Sequence, residues 1–253
     1  MNVEVTGLLY GVIGGGAAAL IFRAVERAWI DVCIAEWIEA RQKLRKYAKP
    51  FWLGCNDLEY RLNDILEKLT SGGNLDSLRW SPDNATALRW YVEDGYYVTS
   101  TAYLLANVAA WIRLFQRDVV FLRFRKNSAT AQFFLLVESL KAKLSKDPPS
   151  ILWYHYLNGI GEYLIDDDVP MSIAAFSSRL ATDERFRAYY GQLFRFLHRL
   201  TSKDHEELLK GTLSTLGEIK RFLKEKSGAV PKISAAQPDA EPDREQAGEC
   251  GVS

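Results

Sequence analysis

Histidine, like cysteine, occurs only three times in 253 residues, as His155, His198 and His205. His155 and Glu162 stand seven positions apart, about two helical turns, which places them on one helix face. A base and an acid so spaced are the chain's candidate catalytic pair. His198 and His205 share that spacing, but Thr201-Ser202-Lys203-Asp204 interrupts it, and Glu206 and Glu207 read as an exposed first turn rather than as metal ligands. The densest acidic run is Asp166-Asp167-Asp168. Three adjacent carboxylates cannot converge on one ion from a helix, and no second acidic motif accompanies them, so the run reads as a solvated turn. Gly159 and Gly161 lie inside a helical pattern with no strand before them, which is not a dinucleotide fingerprint. No nucleophile elbow occurs. The expectation is a protein without metal or cofactor, leaning away from enzymatic activity.

The other spacing with a physical consequence is near the start. Gly7, Gly11, Gly15 and Ala19 recur every four residues, putting four small side chains on nearly one helix face, where two backbones can approach closely. Small residues are also simply common in membrane helices, the competing reading of the same four positions. They lie in a run of 17 uncharged residues, Thr6 to Phe22, just long enough to span a bilayer when Val5 and a snorkelling Arg23 are counted. Glu4, and no Lys or Arg, precedes the run, which disfavours a signal peptide, although Ala17-Ala18-Ala19 leaves a cleaved leader as the alternative. Arg23 and Arg27 follow at once, so the positive-inside rule places the bulk of the chain in the cytoplasm of a single-pass protein of the cell inner membrane. The three cysteines, Cys33, Cys55 and Cys250, are odd in number and far apart, which fits a reducing compartment.

Behind these features the periodicity is helical throughout. Val25, Trp29, Cys33, Trp37, Ala40, Leu44 and Tyr47 form one apolar stripe, a stalk over residues 24–49 that Pro50 breaks or restarts. Leu58, Leu62, Ile65, Leu66 and Leu69 face the core from the next helix, which Ser71-Gly72-Gly73-Asn74 ends. A long helix is expected from about Thr86 to Arg125. Its uncharged middle, Tyr96 to Ile112, is a weaker candidate for a second span, because Thr99, Ser100, Thr101 and Asn107 make it polar and favour a buried core helix. Further helical patterns cover 129–145, 150–165 and the stretch from Met171, separated by Pro148-Pro149 and by the Asp166–Pro170 segment. No alternating strand pattern is evident. The expected architecture is all-α, with an anchor at 1–23, a cytosolic helical domain at 24–226 and a polar, disordered tail at 227–253.

Lys+Arg and Asp+Glu both number 32, so overall charge gives no indication of nucleic acid and any basic surface must be local. Two local clusters exist. Arg41 to Lys49 holds five cations and no acid, and Arg113, Arg117, Arg123, Arg125 and Lys126 outnumber Asp118. An upright helix would hold Arg41 roughly 27 Å from Arg23, beyond a Debye length of about 8 Å, so the first cluster reads as a solvated face. The second complements the C-terminal end of a helix dipole.

Asn56-Asp57-Leu58-Glu59-Tyr60-Arg61-Leu62, Ser100 to Ala106 with Trp111, Arg117 to Leu122, Ile160-Gly161-Glu162 and the Phe176–Tyr190 stretch together resemble a bacterial family with an N-terminal membrane helix and a helical cytosolic domain. That resemblance implies bacterial origin and architecture, and transfers no functional residue. The expected function is that of a scaffold, sensor or interaction component, with the bilayer and either a protein partner or a second copy as its contacts. An effector using His155 and Glu162, or a small subunit of a larger membrane complex, are the alternatives.

Overall fold

The computed structural model describes residues 34–35, 38, 42, 46–81, 87–119, 127–145, 152 and 154–227. The anchor, its glycine face, most of the stalk and the tail from 228 lie outside the described residues. What is described is an all-α bundle carrying one minimal hairpin.

Helix α1 covers 46–71 without interruption at Pro50. This corrects the expected break. Residues 34–35, 38 and 42 are helical as well, and proline, which has no N–H to donate, takes a helical φ at the loss of one hydrogen bond. The end is as expected. Gly72 takes a left-handed φ of 72°, and the Gly73 N–H returns to the Lys68 carbonyl at 2.7 Å.

The expected long helix is two. Helix α2 (Leu88–Val92) stops at Glu93, and α3 (Tyr96–Val119) starts anew after Gly95. The Gly95 N–H donates to the Trp90 carbonyl at 2.7 Å, and a Cβ on Gly95 would lie 2.6 Å from the Trp90 ring. Only glycine lets the chain fold over that indole.

Helix α3 is the centre of the bundle. By length and composition it could cross a membrane, yet 72% of its most apolar window is buried inside this fold. Tyr97, Ser100 and Thr101 of α3 are met by α1. Arg61 donates to the Tyr97 carbonyl, Ser100 Oγ and Thr101 Oγ1 at 2.9–3.0 Å, and its guanidinium lies 4.2 Å from the Tyr97 ring centroid. The Tyr97 hydroxyl donates to Asp64, which also pairs with Lys68 at 2.8 Å. Hydrogen bonds from Lys68 and then Tyr97 hold the Asp64 carboxyl below the usual aspartate range, while burial raises the Tyr97 phenol.

Helix α4 (Asn127–Ser145) follows, then α5 (Tyr154–Leu164). Gly161 presses α5 onto α3. Asp166-Asp167-Asp168-Val169-Pro170 is not a plain linker. Strands β1 (Ile165–Asp166) and β2 (Val169–Pro170) pair antiparallel around Asp167 and Asp168, whose φ values of 46° and 64° make a two-residue mirror-image turn of the kind aspartate tolerates. The absence of an alternating pattern did not exclude it, because two-residue strands are too short to alternate.

The stretch from Met171 divides into α6 (Ile173–Thr182), α7 (Glu184–Arg199) and α8 (Glu206–Ser227). Ser172 caps α6 by accepting from the Ala175 N–H at 3.2 Å, and Asp183 caps α7 by accepting from the Phe186 N–H at 3.0 Å. Helices α5 and α7 are joined by tyrosines. Tyr156 donates to the Tyr189 carbonyl at 2.6 Å and accepts from the Leu193 N–H at 3.2 Å, and Tyr190 donates to the Ile160 carbonyl at 2.7 Å.

Register follows from the contacts. Tyr47 meets Asp118, Gly54 meets Asn107, and Arg61 meets Thr101, so α1 and α3 are antiparallel. Leu209 shares a small cavity wall with Leu58 and Leu62, whereas Lys220 meets Asn56 and Glu59, so α8 runs antiparallel to α1. Gly211 lies by Lys143 and Phe222 by Phe133, so α4 runs antiparallel to α8.

Candidate functional site: a basic end of the bundle

Those three registers have one consequence that no single segment carries. The first packed turn of α1, the end of α3, the start of α4 and the end of α8 lie at the same end of the bundle. Lys220 and Asn56 are in contact at 3.1 Å. Seven residues on from Lys220, and seven back from Asn56, is about 10 Å in each case, so Ser227 and Lys49 finish level. A cluster of rings closes the bundle just beneath. Phe133 on α4 packs against Phe115 on α3 at 4.5 Å, Phe222 on α8 at 5.7 Å and Phe51 on α1 at 6.2 Å between ring centroids.

Above the rings the surface is positive. Lys46 and Lys49 on α1 and Arg221, Lys224 and Lys226 on α8 are all exposed. Arg117, half exposed, adds a sixth cation from the end of α3. Three acids share the region, one of them Asp168, which pairs with Arg117 at 2.8 Å. Asp118 is engaged by the Tyr47 hydroxyl and by Arg117 at 2.8 Å, and Glu225 is exposed. Burial, then the Asp118 hydrogen bond, raises the Tyr47 phenol, so it remains a neutral donor at physiological pH. Lys46 and Lys49 belong to one cluster seen in the sequence and Arg117 to the other. Arg41, Lys43, Arg45, Arg123, Arg125 and Lys126, the remaining members, lie outside the described residues. Lysines on an open surface offer strongly hydrated point charges, suited to exchangeable contacts with carboxylates or phosphates rather than to catalysis.

Beside this end, a groove of about 430 Å³ runs between α3, α5 and the hairpin, lined by Arg113, Gln116, Arg117, Glu162 and Ile165 among others. Glu162 accepts from Arg113, and Asp168 pairs with Arg117 at 2.8 Å. His155 stands exposed on α5, about 10 Å of helix rise from Glu162 and outside the groove lining. Asp166 is exposed in β1, likewise outside it. The groove therefore pairs Glu162 with Arg113, sets Arg117 in the same lining, and does not bring Glu162 to His155.

The other sequence candidates are placed simply. The Trp80 N–H donates to His198 Nδ1 at 3.3 Å, tying a loop to α7. His205 is buried against the Ser202 carbonyl in the short turn before α8. Gly159 seats the Tyr189 hydroxyl, which a Cβ would meet at 1.8 Å, and Gly161 meets α3. Both glycines are packing devices. Gly7, Gly11, Gly15 and Ala19 lie outside the described residues. Among the described residues, no three His, Cys, Asp or Glu side chains gather as a metal site would require.

The basic end was the feature sequence reading missed. Each cluster was visible, but their meeting depends on antiparallel register across three helix pairs. No family model, no curated protein and no solved structure matches this chain.

Proposed function

We propose that this chain is a single-pass membrane-tethered helical protein of the inner membrane, its folded part on the cytosolic side, acting through contacts with proteins. The supporting observation is the basic end. Tyr47 is the first buried residue of α1 after the apolar segment, and the described cations of three helices collect around it. Polybasic surfaces next to an anchor suit an anionic cytosolic leaflet, each cation adding about 1 kcal/mol within a Debye length. An upright helix over 24–45 would hold the end roughly 33 Å from Arg23, so headgroup contact goes with a stalk inclined towards the bilayer.

Contact with proteins is supported by apolar exposure. Leu88, Val92 and Tyr96 follow one another across α2 and the first residue of α3 at 46%, 47% and 50% exposed, and Tyr60 on α1 is 78% exposed. Large apolar side chains left open in a well-packed bundle mark contact surfaces when they adjoin. Within the bilayer, Gly7, Gly11, Gly15 and Ala19 provide the face for a second copy.

Replacing Gly7, Gly11 and Gly15 together by Leu is expected to abolish the dimer captured by a membrane-permeable crosslinker, while the chain stays in the membrane. Undiminished crosslinking would rule out association through that face.

A further inference from the structure

We infer that the acidic tail of this same chain docks on the basic end of the bundle. Three observations converge on it. The first is position. Helix α8 ends at Ser227, level with Lys49, so the tail leaves the fold beside Lys46, Lys49, Lys224 and Lys226. The second is charge. From Asp239 to Glu249 the tail carries five carboxylates against Arg244 alone, whereas the surface at its root carries Arg221, Lys224, Lys226, Lys46 and Lys49 against Glu225 and the already engaged Asp118. The third is spacing. Asp239, Glu241, Asp243 and Glu245 alternate, and Pro238 and Pro242 disfavour a helix there. In an extended backbone, alternate residues share one side, so four carboxylates would face the lysines about 7 Å apart, with Pro242 and Arg244 turned away.

Reach is sufficient. The spacer from Gly228 to Pro238 has eleven residues, with a typical flexible span of about 17–20 Å. Lys46 lies on the first described turn of α1, beside the last turn of α8, well within that span. A tether this short gives an effective concentration of the order of millimolar, so several individually weak exposed pairs suffice to hold the segment. Docking of this kind is salt-sensitive by nature. It is also exchangeable, and a docked tail would compete with any phosphate or carboxylate surface for the same lysines.

The test is zero-length carbodiimide coupling of carboxylates to lysines in the full-length chain, in neutral detergent and at low salt, with the joined peptides identified by mass spectrometry. Lys68, Lys143 and Lys210 at the opposite end of the bundle are the internal controls. Coupling of Asp239–Glu245 to Lys46 and Lys49 is expected to exceed coupling to the controls at least fivefold. The excess should fall to parity at high salt, and in the Arg221→Glu, Lys226→Glu double variant, which leaves the reacting lysines in place. Equal coupling at both ends in the unmodified chain at low salt overturns the inference. If equal coupling comes with shielding of Lys46 and Lys49 from an acylating reagent in vesicles containing phosphatidylserine, but not in phosphatidylcholine alone, the occupant is the bilayer. That outcome rejects the tail and leaves the membrane reading standing.

Discussion

Phe133→Ala is expected to lower the stability of the bundle by about 4 kcal/mol, within the roughly 3–5 kcal/mol typical of emptying a buried phenylalanine site. Phe133 is 2% exposed, and its ring meets Phe51, Phe115 and Phe222, so one truncation withdraws the partner shared by α1, α3 and α8. For a folded unit of this size the loss corresponds to a fall in melting temperature of about 8–16 °C, readable by circular dichroism on the full chain. Phe133→Leu, which keeps most of the volume, should recover more than half of it. A fall below about 2 kcal/mol for the alanine variant would mean the four rings are not one packed unit. The same residue fixes the basic end, because its contacts set α8 level with α1.

Gly161→Leu is the second large effect, at about 3 kcal/mol, the upper part of the range for forcing bulk into a filled contact. A Cβ at Gly161 would lie 2.6 Å from the Ala109 carbonyl carbon and oxygen and 2.9 Å from the Ala110 nitrogen. These are backbone atoms of α3, so no side chain can rotate aside and the two helices must part. Gly159→Ala provides the contrast. Its obstacle is the Tyr189 hydroxyl, the far end of a side chain that can swing away. Helix propensity alone favours alanine over glycine by about 1 kcal/mol at both positions. A Gly161→Leu variant melting with the unmodified chain would contradict the close α3–α5 approach.

Much of the fold was legible from periodicity and stop signals. Leu58, Leu62, Ile65 and Leu69 are buried as their spacing required, Leu66 is partly buried against them, and Gly72 ends α1 where it was expected to. The buried-core reading of the Tyr96–Ile112 run also agrees with α3, where Ser100 and Thr101 meet Arg61 and the Tyr97 carbonyl. What escaped was non-local. The break at Gly95 depends on the Trp90 indole folding beneath it, and the apolar period runs through it unchanged. The hairpin at Asp167-Asp168 is stabilised by its turn and by its place against α3, not by any strand pattern. Of the candidate site, His155 and Glu162 were correctly seen as two turns apart on one helix. Their neighbours were not legible, because Arg113 reaches Glu162 from 49 residues away. The basic end is the extreme case. Its cations on α1 and α8 come from segments more than a hundred residues apart, and only the antiparallel register of α1, α3 and α8 reveals it as one surface.

The claim on which the functional reading rests is the anchor, and alkaline carbonate extraction of membranes from cells expressing the tagged full-length chain tests it most directly. The account predicts that the chain stays in the membrane pellet, as a spanning helix must when charged contacts are stripped away. Recovery of the full-length chain in the supernatant after high-speed centrifugation would contradict it.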